Sequence, residues 1–380
     1  MIHLLDKNLY FERQIYSMRN LVYLFLLSSG LSFSQSISNQ PINVILMIAD
    51  GAGLSQISAA YYYGKEEPNY SRFHHIGLVK TSASSHKITD SAAGATAYST
   101  GKKTYNGAIG VDKDSVPVQT IMEDLSAIGY NTGLVVTSSV THATPASFYA
   151  HVESRNLQEE IAAALVESDI DFFAGGGQKF FFNRLDGKNL WGDLKENGFE
   201  IDTLNTTNSI LDTSKKHGFL LAYDGLTPKH KGRGNFLPEM TENALDFLTK
   251  KGEPFFLLVE GSQVDWGGHA NIGEYVIEEL IDFDKTIGVV LDYIKDHPNT
   301  LVVVTADHET GGFTLASDQK ELPYKKVLSD YNTIKPTFST GGHSAAMVPC
   351  FASGPGSDQF LGVYENTKIH AIISQLTGLK

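Results

Sequence analysis

Apolar residues along the chain alternate between short runs rich in β-branched side chains and longer stretches with helical spacing. The short runs predict buried β-strands at residues 42–49, 133–137, 171–174, 255–259 and 301–305. The longer stretches repeat apolar residues every three or four positions and predict helices at residues 118–128, 157–166, 240–249 and 274–294. This alternation predicts an α/β fold, a three-layer α/β/α sandwich with a large, mostly parallel central sheet.

The pattern contains no internal repeat and no low-complexity linker after the N-terminal segment. We therefore expect residues 35–380 to form a single domain. Two stretches, near residues 183–234 and 319–339, are more polar and richer in turns, and we expect them to be surface insertions. Within the first stretch, the basic segment 229–233 is typical of a solvated loop.

The first 34 residues have the pattern of a secretory signal peptide. A basic start at Met18 and Arg19 precedes an apolar run at 21–31 and a small-residue end at 32–34, which predicts cleavage before Gln35. The run is shorter than the roughly 18–20 apolar residues that a transmembrane helix needs, and no later segment reaches that length. We therefore predict a periplasmic or secreted protein without a membrane span.

Two alternatives stay open at this end of the chain. Asp6 and Glu12 precede the apolar run, which is unusual for a signal peptide, so both Met1 and Met18 remain candidates for the translation start. A buried amphipathic segment would also fit the pattern, although the basic flank and the small-residue end favour the signal.

The composition excludes some classes of function and some kinds of metal site. Asp and Glu number 43 against 30 Lys and Arg, and the formal net charge of −13 disfavours a general nucleic-acid binder. The single cysteine, Cys350, can neither close an internal disulfide nor supply a zinc ribbon or an iron–sulfur cluster. Any bound metal must therefore be held by His, Asp and Glu.

Three predicted strands end in side chains that can bind metal. Asp50 and Glu260 each come at the end of one strand, and Asp307 and His308 follow another. Ligands of open α/β sheets bind at the carboxyl ends of the strands. One such acid is usually only a helix cap or a turn former, but three together favour a site.

Further candidate ligands lie in two other segments. Asp265 and His269 are four residues apart, which places both on one face of a helical turn, and His343 follows two glycines. Each residue alone is more often an ordinary core or surface side chain. With the strand-end residues, they form an oxygen and nitrogen ligand set large enough for two or three divalent cations.

The segment 89–97 begins a helix of small residues, with Asp90 and Ser91 at its N-terminal end. These side chains could cap the helix. Alternatively, the helix N-terminus could stabilise an alkoxide and an incoming phosphate. The segment alone does not decide between these roles.

Segments 89–97 and 99–107 together closely resemble the nucleophile signature of alkaline phosphatases. The other blocks follow in that family's order, at residues 50–53, 142–146 with Arg155 after them, 259–269, 305–309 and 341–343. The resemblance extends from about residue 43 to the C-terminus. It implies the family's fold and a metal-dependent phosphomonoesterase that acts on small phosphate monoesters of broad type.

The resemblance also implies a role for each matched side chain. Ser91 would be the nucleophile that forms a phosphoserine, and Arg155 would bind the phosphate. Two zinc ions and one magnesium ion are implied. Their ligands would be Asp50, Asp307, His308 and Ser91 for one zinc, Asp265, His269 and His343 for the other, and Asp50, Thr144 and Glu260 for the magnesium.

The chain departs from many bacterial members of the family at two positions, with His142 in place of Asp and Trp266 in place of Lys. His142 would lie beside the third metal, where a ring in place of an anion should weaken magnesium binding or change the preferred ion. Trp266 removes a cation near the phosphate, so product phosphate should be held less tightly. The interval from His308 to His343 is short, whereas larger relatives carry a sizeable crown insertion in this region. The short interval predicts a more open active site and does not decide whether the protein forms a homodimer.

Two other classes of function would use some of the same residues. A phosphodiesterase or another metal-dependent member of the same superfamily would share the metal ligands, but a diesterase usually presents Thr as nucleophile and lacks an arginine like Arg155. A non-catalytic periplasmic protein that binds phosphate or metal would not need Ser91 beside the metals. The sequence predicts no nucleic-acid partner beyond terminal phosphates as substrates.

Overall fold

A computed structural model describes residues 41–204 and 211–379. The predicted signal peptide, residues 1–34, lies outside the described residues. The strands, β1 to β14 in chain order, are Asn43–Ala49, His75–Lys80, Asn131–Ser139, Phe172–Gly176, Phe199–Asp202, Lys216–Leu220, Phe255–Gly261, Thr300–Thr305, Glu309–Thr310, Thr314–Leu322, Lys326–Thr337, His343–Ser344, Val348–Ser353 and Gly362–Glu365. The α-helices, α1 to α11, are Leu54–Tyr63, Ser91–Thr100, Ile121–Ala127, Ala143–Ala146, Gln158–Glu167, Gln178–Phe182, Trp191–Glu196, Phe236–Lys251, Gln263–His269, Gly273–Asp296 and Thr367–Thr377.

Ten strands form the central sheet, in the order β14-β2-β13-β8-β1-β7-β3-β4-β6-β5. β13 runs antiparallel to its neighbours β2 and β8, and the other pairs are parallel. The middle strands β1, β7 and β8 are almost entirely buried, as continuous apolar runs in a parallel sheet require. The predicted fold class is confirmed.

The five predicted strands appear as β1, β3, β4, β7 and β8, and the four predicted helices appear as α3, α5, α8 and α10. Two helices begin well away from the predicted residue. α8 begins at Phe236 rather than at residue 240, and α3 begins at Ile121 rather than at residue 118. Thr120 caps this helix, because its hydroxyl accepts from the N–H of Glu123 at 3.3 Å while the Glu123 carboxylate accepts from the N–H of Thr120 at 2.7 Å.

The two polar stretches carry regular structure. Residues 183–234 include α7, β5 and β6, and the two strands extend the central sheet at one edge. Residues 319–339 include all of β11, which pairs with β10 in a separate two-stranded sheet. In the described ranges, no helix combines the length and the hydrophobicity needed to cross a bilayer.

The prediction of a solvated basic loop at 229–233 is wrong for its arginine. The Arg233 side chain is only 3% exposed, and its Nη2 lies 2.6 Å from Glu279 Oε2 and 2.9 Å from Asp282 Oδ2. Glu279 and Asp282 are three residues apart on α10, so they present their carboxylates on one face of the helix. The loop is held there by buried ion pairs.

Candidate active site

Three neighbouring strands bring acids to one edge of the sheet. β1 lies between β7 and β8 and is hydrogen-bonded to both. Asp50 follows β1, Glu260 lies at the end of β7, and Asp307 and His308 follow β8. All four side chains are buried. Because the carboxyl ends of parallel strands share one edge, residues far apart in the chain meet here.

The first cluster surrounds the imidazole of His308. Its Nε2 lies 3.3 Å from Asp307 Oδ2, 3.5 Å from Asp50 Oδ1 and 3.3 Å from Ser91 Oγ. Asp307 Oδ1 accepts instead from the backbone N–H of Gly51 at 3.1 Å, which directs the other oxygen towards the cluster. The predicted nucleophile thus lies directly beside predicted metal ligands.

Asp265, His269 and His343 form a second cluster. Nδ1 of His269 lies 2.7 Å from the carbonyl oxygen of Gly341, and Nδ1 of His343 lies 2.8 Å from that of Thr89. Because a carbonyl oxygen only accepts, each Nδ1 carries a proton, and Nε2 is the atom left to bind a cation. The two Nε2 atoms lie 3.1 Å apart, and each is 3.4 Å from Asp265 Oδ1.

Thr310 joins the two clusters, although sequence reasoning did not identify it. Its hydroxyl donates to Asp265 Oδ1 at 2.5 Å and lies 3.1 Å from Nδ1 of His308. A hydroxyl has one proton, so Thr310 must accept from His308, which leaves the His308 Nε2 lone pair facing the first cluster. Thr310 follows His308 by two residues in the chain, but no sequence pattern predicts that its side chain contacts both Asp265 and His308.

In a third group, metal-binding atoms of Asp50, His142 and Glu260 are within 4.8 Å of one another. Thr144 lies close enough to Glu260 to oppose the rise in the pKa of its carboxyl. Several atoms here are buried without a hydrogen-bond partner among the described residues. They are both carboxylate oxygens of Asp50, Oδ2 of Asp307, Oε1 of Glu260, Oγ1 of Thr144 and Nδ1 of His142. An unpaired buried polar atom costs about 1–3 kcal/mol, so the unpaired oxygens of this set fit bound cations.

The pKa values reflect this crowding. Burial, followed by the charges of Asp307, Asp265 and Glu260, raises the pKa of Asp50 well above its ordinary value. Burial likewise raises the pKa of Glu260 to about 8. Burial also acts to raise the pKa of Asp265, but the close approach of His343 and the charges of His308 and His269 outweigh that effect and lower it. Asp50 and Glu260 therefore need added positive charge to stay ionised near neutral pH.

Ser91 is the first residue of α2, and Asp90 is its N-cap. Asp90 Oδ1 accepts from the N–H of Ala93 at 3.0 Å, whereas Oδ2 accepts from Arg155 Nη1 at 3.1 Å and from the N–H of Gly107 at 2.9 Å. Because Asp90 provides the cap, the Ser91 hydroxyl remains available to the first cluster. The capping and chemical roles that the sequence left open thus fall to two adjacent residues.

His142 and Trp266 lie beside the arginine. His142 Nε2 is 3.3 Å from Arg155 Nη2, and its ring meets the Trp266 ring edge-on with the centroids 6.0 Å apart. Burial, and next the charge of Arg155, lower the pKa of His142 to about 3, so its ring is neutral. Gly225 is needed here, because a Cβ atom would lie 2.5 Å from the Trp266 ring. Each site residue singled out in the sequence therefore lies in or beside these clusters.

Comparisons with known proteins show which family this chain resembles. The family model described as "Alkaline phosphatase" matches residues 42–338. Alkaline phosphatase 3 of Bacillus subtilis is 34% identical over 86% of this chain and 87% of its own length. The solved alkaline phosphatase of the Antarctic bacterium TAB5 is 52% identical, with a TM-score of 0.85 over 90% of this chain and 99% of that one. A TAB5 mutant with Mg bound in its M3 site is 53% identical, with a TM-score of 0.86 over the same shares.

Proposed function

The chain belongs to the alkaline phosphatase family of phosphoric monoester hydrolases, and we propose that it hydrolyses phosphate monoesters through a phosphoserine formed on Ser91. One observation carries this proposal. Ser91 Oγ lies 3.3 Å from His308 Nε2, where the N-terminus of α2 meets the first cluster of metal-binding atoms. A hydroxyl in this position would face both a cation held by that cluster and the place where a helix N-terminus favours a phosphate.

We assign two zinc ions and one magnesium ion to the three groups of donors. The first zinc would be held by Asp50, Asp307, His308 and Ser91, the second by Asp265, His269 and His343, and the magnesium by Asp50, Thr144 and Glu260. The imidazole and carboxylate donors suit catalytic zinc, and the all-oxygen set suits magnesium. When bound, such ions lower the pKa of a serine hydroxyl, generate hydroxide from water and neutralise a leaving alkoxide.

Two features bear on the third ion. The TAB5 mutant with Mg bound in its M3 site supports magnesium at the corresponding place. In this chain, however, the neutral ring of His142 lies within reach of Asp50 and Glu260. A neutral neighbour offsets none of the charge of a hard dication, so we expect magnesium to bind more weakly here than it would beside an acid.

The protein side chains then divide the chemistry between them. Ser91 Oγ forms a bond to phosphorus and loses its proton, while the bond from phosphorus to the alcohol oxygen breaks and that oxygen is released as the alcohol after taking up a proton. Arg155, oriented by Asp90, donates two N–H groups to two phosphate oxygens. Water next displaces the serine from phosphorus and yields inorganic phosphate. The two in-line displacements give net retention at phosphorus.

We further propose export to the periplasm or the medium, on the signal-like pattern of residues 18–34. The substrates would be small phosphate monoesters with varied leaving groups, because the residues of the three groups act on the phosphate rather than on the alcohol. A homodimer remains a prediction.

The matched pair Ser91→Ala and Ser99→Ala tests the nucleophile. Ser99 is buried in the same helix, and its Oγ donates to the Thr96 carbonyl oxygen at 3.3 Å, away from the metal donors. We expect the wild type and Ser99→Ala to hydrolyse an aryl phosphate monoester at alkaline pH and Ser91→Ala to lose at least about a thousandfold in kcat. Labelled phosphate should be trapped on the wild type but not on Ser91→Ala.

Three outcomes would overturn parts of this proposal. Near-wild-type activity in Ser91→Ala would refute the phosphoserine mechanism. Faster hydrolysis of a diester than of a monoester would identify a phosphodiesterase instead. Phosphate binding without hydrolysis of either ester would identify a binding protein.

A further inference from the structure

Gln158, the first residue of α5, ties the main chain of Arg155 to the end of β3. Its Nε2 donates to the Arg155 carbonyl oxygen at 2.7 Å, and its Oε1 accepts from the Thr141 hydroxyl at 2.6 Å. A carbonyl oxygen can only accept, so the amide has one possible orientation at this position. Both ends of the side chain are therefore used.

The connection continues into the central sheet. Thr141 Oγ1 lies 3.2 Å from Oγ of Ser139, the last residue of β3. Because the Thr141 proton goes to Gln158, Ser139 must be the donor in that pair. The three side chains form a directed series of hydrogen bonds that ends on the Arg155 carbonyl, and its origin is a buried strand rather than a surface loop.

Arg155 is fixed from its other sides as well. Its backbone N–H donates to the Gly107 carbonyl oxygen at 2.7 Å, Nη1 donates to Asp90, and Nη2 faces His142. The contact from Gln158 adds a restraint on the carbonyl. The peptide and the guanidinium are then both held, although the side chain between them has several rotatable bonds.

We propose that Gln158 is a positioning residue for phosphate recognition, because its amide holds the main chain from which Arg155 reaches the phosphate. The inference rests on the proposed function, since it requires Arg155 to bind the phosphate. A guanidinium matches two phosphate oxygens only in one orientation. A misplacement of about 1 Å in such a group can cost about a hundredfold in rate. Releasing the carbonyl should therefore weaken phosphate binding although Gln158 itself does not touch the ligand.

Gln158→Met and Gln178→Met are a matched pair that tests this role. Methionine keeps the length and the apolar stem but cannot donate. Gln178 is also half-buried, and its Nε2 donates to the carbonyl oxygens of Leu220 at 2.7 Å and Thr203 at 3.3 Å. We expect Gln158→Met to raise KM and the inhibition constant of inorganic phosphate about five- to tenfold, the worth of one hydrogen bond, with a smaller fall in kcat.

Gln178→Met should lose thermal stability to a similar extent but keep both constants. Thr141→Val, which breaks the series one step earlier, should weaken phosphate inhibition in the same direction but less. In an Arg155→Ala background, Gln158→Met should have no further effect on phosphate inhibition, because the group that it positions is gone.

Equal phosphate inhibition in Gln158→Met and Gln178→Met would overturn the inference. So would an undiminished effect of Gln158→Met in the Arg155→Ala background. If the wild type hydrolyses no monoester, the proposed function fails separately, and calorimetric titration of the metal-loaded variants with inorganic phosphate still tests Gln158.

Discussion

Two groups of buried carboxylates in this protein differ in where their compensating charge comes from. On α10, Glu279 and Asp282 are each at most 2% exposed, and both contact Arg233. Lys229 adds a second cation, with Nζ 2.5 Å from Asp282 Oδ1. The chain itself supplies the positive charges for these acids.

At the carboxyl edge of the sheet, Asp50, Glu260 and Asp307 are equally buried but have oxygens with no hydrogen-bond partner in the described ranges. A buried charge is stable only when it is paired. Burial alone therefore does not mark a functional acid. Acids that the chain pairs brace the fold, whereas acids that it leaves unpaired are arranged for cations from solution.

Removal of the metals should have the largest effect on the acids at the edge of the sheet. Exhaustive dialysis against a chelator leaves Asp50, Glu260 and Asp307 without compensating charge, so we expect complete loss of phosphatase activity and a lower unfolding temperature. Zinc with magnesium should restore both, because a ligand at about a thousand times its Kd stabilises the folded state by about 4 kcal/mol. Full activity after metal analysis shows less than one ion per chain would contradict the assignment.

The free energy of unfolding of the metal-free protein should depend on pH through Glu260. Burial raises the pKa of Glu260 from 4.5 to about 8, so between these pH values the folded state binds a proton that the unfolded state does not. The contribution of Glu260 to the free energy of unfolding is therefore fully present below pH 4.5 and is lost as the pH rises through about 8. We expect urea unfolding of the metal-free protein to show this loss and the metal-loaded protein to lack it.

Arg233→Met should damage the other group of acids. The substitution removes the shared partner of Glu279 and Asp282, and breaking a buried pair in this way costs about 3–5 kcal/mol of unfolding free energy. Metal content per folded chain should not change, because the pair lies outside the metal-binding groups. Urea unfolding and metal analysis of the purified variant measure the two quantities.

Lys250→Met is the control for Arg233→Met. Lys250 pairs with Asp246 at 2.6 Å, but both side chains are about half exposed, at 49% and 57%. Solvent screens such a pair, so its loss should cost less than about 0.5 kcal/mol. If the two variants lose similar stability, the buried ion pairs do not brace the fold as argued.

The local pattern predicted the five middle strands of the central sheet but not the strands on either side of them. β1, β7 and β8 consist mainly of continuous apolar runs because they are buried on both faces. The flanking strands that were missed are β2, β5, β6, β13 and β14. His75 and Gly77 weaken the apolar pattern of β2, and Pro349 weakens that of β13. These two strands pair with each other across more than half of the chain. No local signal encodes such a pairing.

The sequence likewise predicts only some of the residues of the candidate site. Asp50, Glu260 and Asp307 could be predicted to meet, since each lies at the end of a central strand. Thr310 and Gln158 could not, because their importance depends on which atom donates to which. The buried position of Arg233 also escaped prediction, since the acids that pair with it lie on a helix about 50 residues later.

Thr310→Val tests whether one hydroxyl orders two metal-binding clusters. Valine keeps the shape but cannot donate to Asp265 or accept from His308, so the His308 tautomer is no longer fixed and Asp265 loses a hydrogen bond. Loss of such an outer contact typically weakens metal binding about 10–100-fold. We expect zinc to be lost from Thr310→Val at lower chelator concentrations than from the wild type, and the zinc content after dialysis measures this. Thr310→Ser keeps the hydroxyl and should bind zinc nearly as the wild type does, whereas equal zinc retention in the valine and serine variants would show that the hydroxyl does not order the site.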